Sequence, residues 1–382
     1  MKICAIICEY NPFHNGHLYQ MRLAKEQSGA DALLCLMSGN FVQRGEAAVL
    51  DKFTRARHAV LSGADAVIEL PSPFATSSAE LFAKGAISLL KGIPQVKTLC
   101  FGAETADSER LKNTAKLLLN EPTIVSEKIK KFTDEGMSYA KARVLAYDGL
   151  IEEDLLSSPN NILALEYMKA ILSLGADIEI LPIQRQGSFY SDDKLAENFS
   201  SATAIRKAIL QGEDPSSNLP SYVAKDLPKT TENSLDALEK FALLSKDKAE
   251  IAKVCDCTEG LENALKKAAT LSAPLAQSLT SARYTASRIR RIALQNLLGI
   301  EKDFIQQCLS EPLYLRMLAV KKSATELLSV LGSATLPLLI RAQDRTVLSG
   351  VGKACFEKDI FSENVYSILY ENVRTNKNIF IE

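Results

Sequence analysis

The stretch KICAIICEYNPFHNGHLYQMRLAKEQSG (2–29) decides the fold, because it joins a buried strand directly to a helix. KICAIIC (2–8) is an apolar run that does not alternate with polar residues, which is typical of a strand covered by helices on both faces. The next segment predicts a helix over 17–29, ended by Gly29. NPFHNGH (11–17) lies between them and holds two of the three histidines. In an open α/β sheet, ligands bind at the carboxyl ends of the strands, so this turn is the expected phosphate site.

The same alternation continues through the first half of the chain. The pattern predicts strands at 31–37, 65–70 and 96–102 and helices at 52–63 and 77–92. Each strand is again a continuous apolar run, as expected of a buried parallel sheet. The order of elements therefore predicts an α/β fold with a doubly wound, Rossmann-like parallel sheet.

Three regions are predicted along the 382 residues. A mostly helical stretch, a strand at 178–183 and a helix at 200–212 complete a catalytic domain over residues 1–215, which ends at a linker rich in Pro and Ser. Residues 216–300 are predicted to form a helical region. Residues 301–382 mix short helices with one strand-like run and are expected to form a small C-terminal α/β region.

Charge and hydropathy exclude several classes of protein. Lys and Arg number 45 against 46 Asp and Glu, so the net charge is −1. This balance excludes a globally basic coat for nucleic acid, though not a local basic patch. The longest apolar runs are strand-length, whereas a helix that spans a bilayer needs about 20 residues. The N-terminus also lacks the apolar core of a signal peptide, and we expect a cytoplasmic protein with no membrane partner.

His14 and His17 are the first candidates for chemistry. They open a helix whose N-terminus offers unpaired N–H groups and the positive end of a dipole. Gly16 between them allows a close approach of the backbone to a ligand. Two imidazoles three residues apart can converge on the same phosphate oxygens and stabilise charge in a transition state. The alternative is that both histidines only cap the helix.

A second candidate segment is SSATAIR (200–206). Its hydroxyls, including Ser201 and Thr203, stand at a predicted helix start, and Arg206 follows about one turn later. This arrangement suits a triphosphate or pyrophosphate, although a helix cap beside a surface arginine is an ordinary alternative. The chain has no GxxxxGK[ST] segment and no GxGxxG after the first strand, which disfavours a P-loop or a dinucleotide site.

The two segments together resemble the nucleotidyltransferase superfamily, in which HxGH follows the first strand and SSxTxIR comes later. Five stretches narrow the resemblance to the bacterial tRNA(Met) cytidine acetate ligase family, over nearly the whole chain. They are EYNPFHNGHLYQ (9–20), MSGNFVQRGEAAVLDKFTRARHAVLSGADAVIELP (37–71), FGAE (101–104), SPNNILALEY (158–167) and RYTASRIRR (283–291).

This resemblance implies an enzyme that activates acetate with ATP, giving acetyl-adenylate and pyrophosphate. The acetyl group then passes to N4 of the wobble cytidine of elongator tRNA(Met). Mg²⁺ is expected to accompany ATP, with no protein ligand assigned. The open alternatives are an adenylyltransferase for a small phosphorylated metabolite and a non-catalytic, ATP-dependent RNA-binding protein.

The family likeness also implies site residues. His14, His17 and Arg206 would act in catalysis, and Gly102, Arg185, Ser201 and Thr203 would contact the nucleotide. Asn160 would contact it too, with Asn161 as the alternative. The ATP-binding segment comprises Ile7, Cys8, Glu9, Tyr10, Asn11, Pro12, Phe13, His14, Asn15, Gly16, His17, Leu18, Tyr19 and Gln20.

Three further sets of residues follow from position or charge. A polar loop with Gln43, Arg44 and Glu46 is expected to place acetate or the incoming cytidine, unless it is only a solvent loop with an ion pair. Glu9, at the end of the first strand, is a candidate base by position alone. The tRNA contacts are expected from about residue 283 onward, where 14 Lys and Arg face 10 Asp and Glu. The candidate tRNA-binding residues are Arg283, Arg288, Arg290 and Arg291, unless the cluster is only a solvated basic face.

Overall fold

The computed structural model describes residues 1–185, 195, 199–370 and 379–382. Its strands are β1 (Ile3–Cys8), β2 (Ala32–Ser38), β3 (Phe41–Val42), β4 (Glu46–Ala47), β5 (Ala66–Leu70), β6 (Val96–Ala103), β7 (Glu179–Gln184), β8 (Leu315–Lys321), β9 (Leu338–Leu339) and β10 (Phe380–Ile381).

The helices of the first half are α1 (Asn15–Ser28), α2 (Lys52–Leu61), α3 (Ser72–Ala75), α4 (Ala79–Lys91), α5 (Ser108–Leu119), α6 (Thr123–Asp134), α7 (Tyr139–Ala146), α8 (Glu153–Ser157) and α9 (Pro159–Leu174). Those that follow are α10 (Ala202–Gln211), α11 (Ser221–Ala224), α12 (Leu235–Ser245), α13 (Lys248–Ile251), α14 (Leu261–Ala268), α15 (Leu275–Leu279), α16 (Ala286–Leu298), α17 (Lys302–Ser310), α18 (Thr325–Gly332) and α19 (Gly350–Leu369).

The main sheet has the order β10-β8-β5-β2-β1-β6-β7. All neighbours from β5 to β7 pair in parallel, with Ile3 opposite Ala32 on β2 and Cys4 opposite Thr98 on β6. This confirms the predicted doubly wound parallel sheet. β8 adds an antiparallel strand beside β5, so the complete sheet is mixed.

Helices cover both faces of the sheet, as the apolar strands predicted. Ile3, Ala5 and Ile7 of β1 lie in a core that includes side chains of α4 and α9. Cys4 and Ile6, which alternate with them, lie in a second core with side chains of α1, α2 and α10. The chain thus passes from the carboxyl end of β1, within the sheet, to the N-terminus of α1 on one of its faces.

A third core fills the helical region between α12 and α16, with Leu243, Ile251, Leu265 and Ile289 among its members. α16 also contributes Leu294 to the first core, so the helical region packs on the sheet domain. The boundaries at 215 and 300 stay predictions, but hydrogen bonds between β8 and β5 join residues from either side of both boundaries in one sheet. None of the helices in the described part of the chain has the length and apolar character needed to cross a membrane.

Candidate active site

A cleft opens at the carboxyl ends of β1, β6 and β7, where the N-termini of α1, α9 and α10 converge. Its lining comprises Ile7, Cys8, Glu9, Tyr10, Asn11, His14, His17, Gln20, Val42, Gln43, Arg44, Glu46, Ala79, Phe82, Phe101, Gly102, Pro159, Asn160, Leu163, Tyr167, Arg185, Ser201, Ala202, Thr203 and Arg206. An adjoining recess adds Gly16 and Tyr19.

His14 and His17 hold each other at the start of α1. Nδ1 of His14 accepts the N–H of Gly16 at 3.1 Å, and Nδ1 of His17 accepts the N–H of His14 at 3.3 Å. The rings stack with centroids 3.6 Å apart. A Cβ at position 16 would lie 2.9 Å from Cε1 of His14, so the turn requires glycine. Both histidines therefore cap the helix.

These caps fix the tautomer of both rings. A backbone N–H can only donate, so each Nδ1 is unprotonated and each proton is on Nε2. Burial, with Arg185 and Arg206 nearby, lowers the pKa of His14 to about 3. Burial also lowers the pKa of His17, and His14 adds to this effect. The cleft thus contains two neutral imidazoles whose Nε2–H groups remain to donate.

Four residues of the predicted segment 7–20 do not line the cleft or its recess. Phe13 is fully buried in the second core, and Pro12 is buried with it. Asn15 donates to the carbonyl of Ser217, and Leu18 is exposed. Pro12 and Phe13 precede α1 and are buried, whereas Asn15 and Leu18 lie on the helix but outside the cleft.

Asn11 joins the histidine turn to α10. Its Oδ1 accepts the N–H of Val49 at 2.8 Å, and its carbonyl accepts a hydrogen bond from Arg206 at 2.9 Å. Arg206 also lies 3.6 Å from a carboxylate oxygen of Glu46. The guanidinium is therefore held at the cleft by groups from two neighbouring loops.

The N-terminus of α10 faces the same cleft. Ser201 caps it by accepting the N–H of Ala204 at 3.1 Å, which leaves the hydroxyl proton able to donate. Thr203 accepts a hydrogen bond from Arg206. The structure thus brings the histidine turn and the SSATAIR segment to one cleft.

Asn160 and Asn161 differ sharply in position. Asn160 lines the cleft and donates to Glu104 at 2.5 Å. Asn161 is fully buried and its Oδ1 accepts the N–H of Thr105. Only Asn160 can reach a ligand, so Asn161 holds α9 against the loop after β6.

Gly102 and Arg185 also meet at the cleft. The N–H of Arg185 donates to the carbonyl of Ala103 across the β6–β7 pair. A Cβ at position 102 would lie 3.4 Å from Cγ of Arg185. Because Gly102 has no side chain, this edge of the sheet leaves room for a ligand. The Arg185 guanidinium places a positive charge beside that space.

Comparison with known proteins identifies the family of this chain. The family model described as HIGH Nucleotidyl Transferase matches residues 1–379. A tRNA(Met) cytidine acetate ligase of Thermoanaerobacter sp. (strain X514) is 37% identical over 97% of this chain and 96% of its own. That of Clostridium perfringens is 36% identical over 100% and 98%. The chain belongs to the tRNA(Met) cytidine acetate ligase family.

Two crystal structures of Thermotoga maritima TmcAL share the fold at 30% identity, and each comparison covers 99% of this chain and 97% of the other. The apo form I superposes with a TM-score of 0.89. Form II, bound with alpha-thio ATP, superposes with a TM-score of 0.86. The family resemblance of the sequence is confirmed.

In this family member, the four arginines expected to bind tRNA all have partners within the chain. Arg288 donates to the carbonyl of Asp256, and Arg291 pairs with its carboxylate at 3.6 Å. Arg283 pairs with Glu259 at 3.0 Å and is exposed. Arg290 pairs with Glu46 of the cleft at 2.5 Å. Arg288 and the partly buried Arg291 thus hold the loop at 256 in place, and tRNA contacts in this segment stay a prediction.

The polar loop also belongs to the cleft of this ligase-family chain. The N–H of Gln43 donates to Oε1 of Glu9 at 2.7 Å, and the hydroxyl of Ser38 donates to the same oxygen at 3.4 Å. Burial raises the pKa of Glu9. Arg44 lines the same space. The loop therefore brings a carboxylate and cations to one side of the site.

Sequence reasoning missed the apolar wall of the cleft and the side chain beneath it. Phe82, Phe101 and Tyr167 line the wall, and the rings of Phe101 and Tyr167 lie 5.6 Å apart. Each belongs to an element that was predicted correctly, but whether its side chain points into the cleft depends on how that element packs. Arg55 of α2 is fully buried and donates to the carbonyls of Glu9, Ser38 and Gly39. A charge in the middle of an otherwise amphipathic helix was its only signal.

Proposed function

We propose that this chain is an ATP-dependent ligase that activates acetate as acetyl-adenylate. It transfers the acetyl group to N4 of the wobble cytidine of elongator tRNA(Met), forming N4-acetylcytidine. One observation carries the chemistry: two stacked, neutral imidazoles whose caps leave both Nε2–H groups as donors in a cleft that also holds Arg206 and Arg185. Relatives that are named tRNA(Met) cytidine acetate ligases match the chain over nearly its whole length.

In the first step a carboxylate oxygen of acetate attacks the α-phosphorus of ATP. The bond from that phosphorus to the bridging oxygen breaks, and pyrophosphate leaves with the electron pair. His14 and His17 donate hydrogen bonds to phosphate oxygens as charge builds on them. Arg206 adds a fixed positive charge, and Ser201 and Thr203 offer hydroxyls beside the N-terminus of α10. The step needs positioning and charge, with no covalent intermediate on the chain.

In the second step the amine at N4 of cytidine attacks the carbonyl carbon of acetyl-adenylate. A carbon–nitrogen bond forms, the bond to the phosphate oxygen breaks, and AMP leaves with the electron pair. The amine gives one proton to the carboxylate of Glu9. Burial raises the pKa of Glu9, which makes it a stronger base than an exposed glutamate.

Mg²⁺ enters this proposal only on the phosphates of ATP. The described residues contain no group of three or more His, Cys, Asp or Glu side chains placed to hold a metal ion. Mg²⁺ commonly reaches such sites bound to substrate phosphates with several waters. We also propose that the protein acts in the cytoplasm, where its tRNA substrate is found.

The test combines purified protein, ATP, labelled acetate and unmodified elongator tRNA(Met), with nucleosides analysed by mass. We expect acetylcytidine only when ATP and the tRNA are both present. His14→Asn keeps a residue type that caps helices but removes the imidazole, so we expect ATP–pyrophosphate exchange with acetate to fall about 100-fold to 1,000-fold. His58→Gln is the matched control, because His58 lies outside the cleft and pairs with Asp226.

Two outcomes would contradict the proposal. Exchange that depends on a phosphorylated metabolite and not on acetate would identify an adenylyltransferase for small molecules. Binding of ATP and RNA without exchange would identify a non-catalytic protein.

A further inference from the structure

A second cavity adjoins the cleft and shares Glu46 and Arg206 with it. We call it the Glu239 pocket. The loop after β3, α10, α12, the segment around α15 and the start of α16 form its walls. Apolar groups on these walls include Leu210, Leu275 and Ala286.

Glu239 is the unusual member of this lining. It is only 5% exposed, and its Oε1 has no hydrogen-bond partner among the described residues. A buried acceptor left unpaired costs about 1–3 kcal/mol, so a folded chain rarely keeps one without a ligand or a structural reason. Burial, together with the nearby Asp236, holds the pKa of Glu239 well above its usual range, and Arg290 opposes this only in part. Burial without an ion-pair partner among the described residues favours the protonated form of this carboxyl, which has a hydroxyl to donate.

Ion pairs mark the boundary between the two cavities. Glu46 lies between two arginines, with Arg290 at 2.5 Å and Arg206 at 3.6 Å. Arg290 belongs to both the Glu239 pocket and this chain of charges. Glu46 and its two arginines would thus separate a ligand in the pocket from the phosphates bound in the cleft.

We propose that the Glu239 pocket receives the unstacked pyrimidine base of the acceptor nucleotide and that the Glu239 carboxyl donates a hydrogen bond to N3 of that base. This inference rests on the proposed function. An acceptor base must leave its stack to be modified, and it needs apolar contact for its faces and a few polar groups for its edge. N3 accepts a hydrogen bond in cytosine but carries a proton in uracil, so a donor at this position favours cytosine.

The assignment leaves the exocyclic amine for the reaction. With N3 held by Glu239, N4 is the neighbouring group on the same edge of the ring, and the proposal requires that edge to lie beside Glu46, where the pocket and the cleft adjoin. There N4 gains the acetyl carbon and loses one proton, while AMP departs. The pocket therefore supplies selectivity, and the cleft supplies the chemistry.

The test compares Glu239→Leu, Glu239→Gln and the control Glu232→Leu, whose carboxyl is exposed and lies outside the pocket. Acetyl transfer to an unmodified elongator tRNA(Met) transcript and ATP–pyrophosphate exchange with acetate are measured separately. We expect the ratio of transfer to exchange to fall about tenfold or more in Glu239→Leu, through a higher KM for tRNA. Glu239→Gln still offers an N–H donor and should keep the ratio within about threefold, whereas a merely structural role gives no such rescue.

A second variant keeps the proposal testable if Glu239→Leu does not fold. Ala286→Phe fills the pocket without removing a polar group, and we expect the same loss of transfer relative to exchange. An unchanged KM for tRNA in both Ala286→Phe and any folded Glu239→Leu would overturn the inference while leaving the ligase function intact. Failure of the unaltered protein to form acetylcytidine would instead refute the proposed function, and the inference with it.

Discussion

At the scale of single residues, the ring of each of His14 and His17 caps α1 and, in the proposed mechanism, also donates to a phosphate. Nδ1 accepts a backbone N–H at the start of α1, and this contact leaves the proton on Nε2, which is free to donate to a phosphate oxygen. The structural cap and the proposed catalytic donor are therefore parts of one arrangement. A buried imidazolium beside Arg206 would be costly, and the neutral form avoids that cost.

The lowered pKa of His14 predicts a pH-dependent stability. The unfolded chain takes up a proton as the pH falls below the ordinary value of 6.5, while the folded chain stays neutral at His14 down to about 3. Stability contributed by neutral His14 is thus lost as the pH falls. Between about pH 7 and pH 5 the wild-type chain should lose about 1–2 kcal/mol more than His14→Asn. Urea unfolding at both pH values measures this, and parallel losses in the two proteins would disprove it.

Glu9 predicts a second pH effect, on the rate of acetyl transfer. Its pKa is raised by burial, so the carboxylate is protonated at a higher pH than an exposed glutamate. Transfer should fall as the pH drops through that raised pKa, because a protonated Glu9 cannot accept the amine proton. Single-turnover transfer from preformed acetyl-adenylate gives the profile. Glu9→Gln should slow transfer and remove this acidic limb; if the limb persists, Glu9 is not the base.

At the scale of elements, α2 fixes the ends of β1 and β2 through Arg55. Its guanidinium donates to the carbonyl of Glu9 at 2.5 Å and to that of Ser38 at 3.2 Å, and it also reaches Gly39. These carbonyls stand where the two strands end and the cleft begins. α2, which packs on one face of the sheet, therefore fixes the positions of the strand ends that form the floor of the cleft.

Arg55→Lys should destabilise the chain and weaken the site. The single ammonium group of a lysine cannot replace a planar guanidinium that donates to several carbonyls at once. Some of these buried carbonyls would therefore be left without a donor. We expect the free energy of unfolding to fall by about 2–4 kcal/mol and the KM for ATP to rise several-fold. Arg57→Lys, two residues away, half-exposed and paired with Asp226, is the control and should change stability by less than about 0.5 kcal/mol. Equal effects of both changes would refute the role of Arg55.

At the scale of the whole molecule, a buried set of charges ties the two ends of the chain together. Lys52 of α2 lies 2.5 Å from both Glu69 of β5 and Glu363 of α19. Arg316 of β8 completes the set, at 3.2 Å from Glu69 and 2.7 Å from Glu363. Together with the β5–β8 ladder, this network makes the C-terminal residues part of the sheet domain.

Such a network predicts that both ends unfold together. The chain has no tryptophan, so one introduced tryptophan reports only on its own site. Phe53→Trp on α2 and Phe304→Trp on α17 should therefore share one urea midpoint. Adding Glu363→Gln to each removes one charge of the network and should lower both midpoints equally, with a cost of about 3 kcal/mol. Separate midpoints would instead identify an independent C-terminal domain.

The sequence by itself determined the features that depend on local pattern. The apolar runs of β1, β2, β5 and β6 were sufficient to predict a parallel sheet, because only strands buried on both faces lack alternation. The position of His14 and His17 after β1 was sufficient to place the site, since the carboxyl ends of parallel strands share one edge. The family motifs then pointed to the chemistry.

Tertiary structure alone decided which distant groups meet. β8 could be predicted as a strand, but its antiparallel place beside β5 depends on contacts between residues some 250 positions apart in the chain. The choice between Asn160 and Asn161 depends on the rotation of α9, which packing sets. The four arginines of 283–291 gave one basic signal in the sequence, but their partners Asp256, Glu259 and Glu46 lie on other segments that only the fold brings near. Glu239 had no signal in the sequence, because burial without a partner is a property of the folded chain.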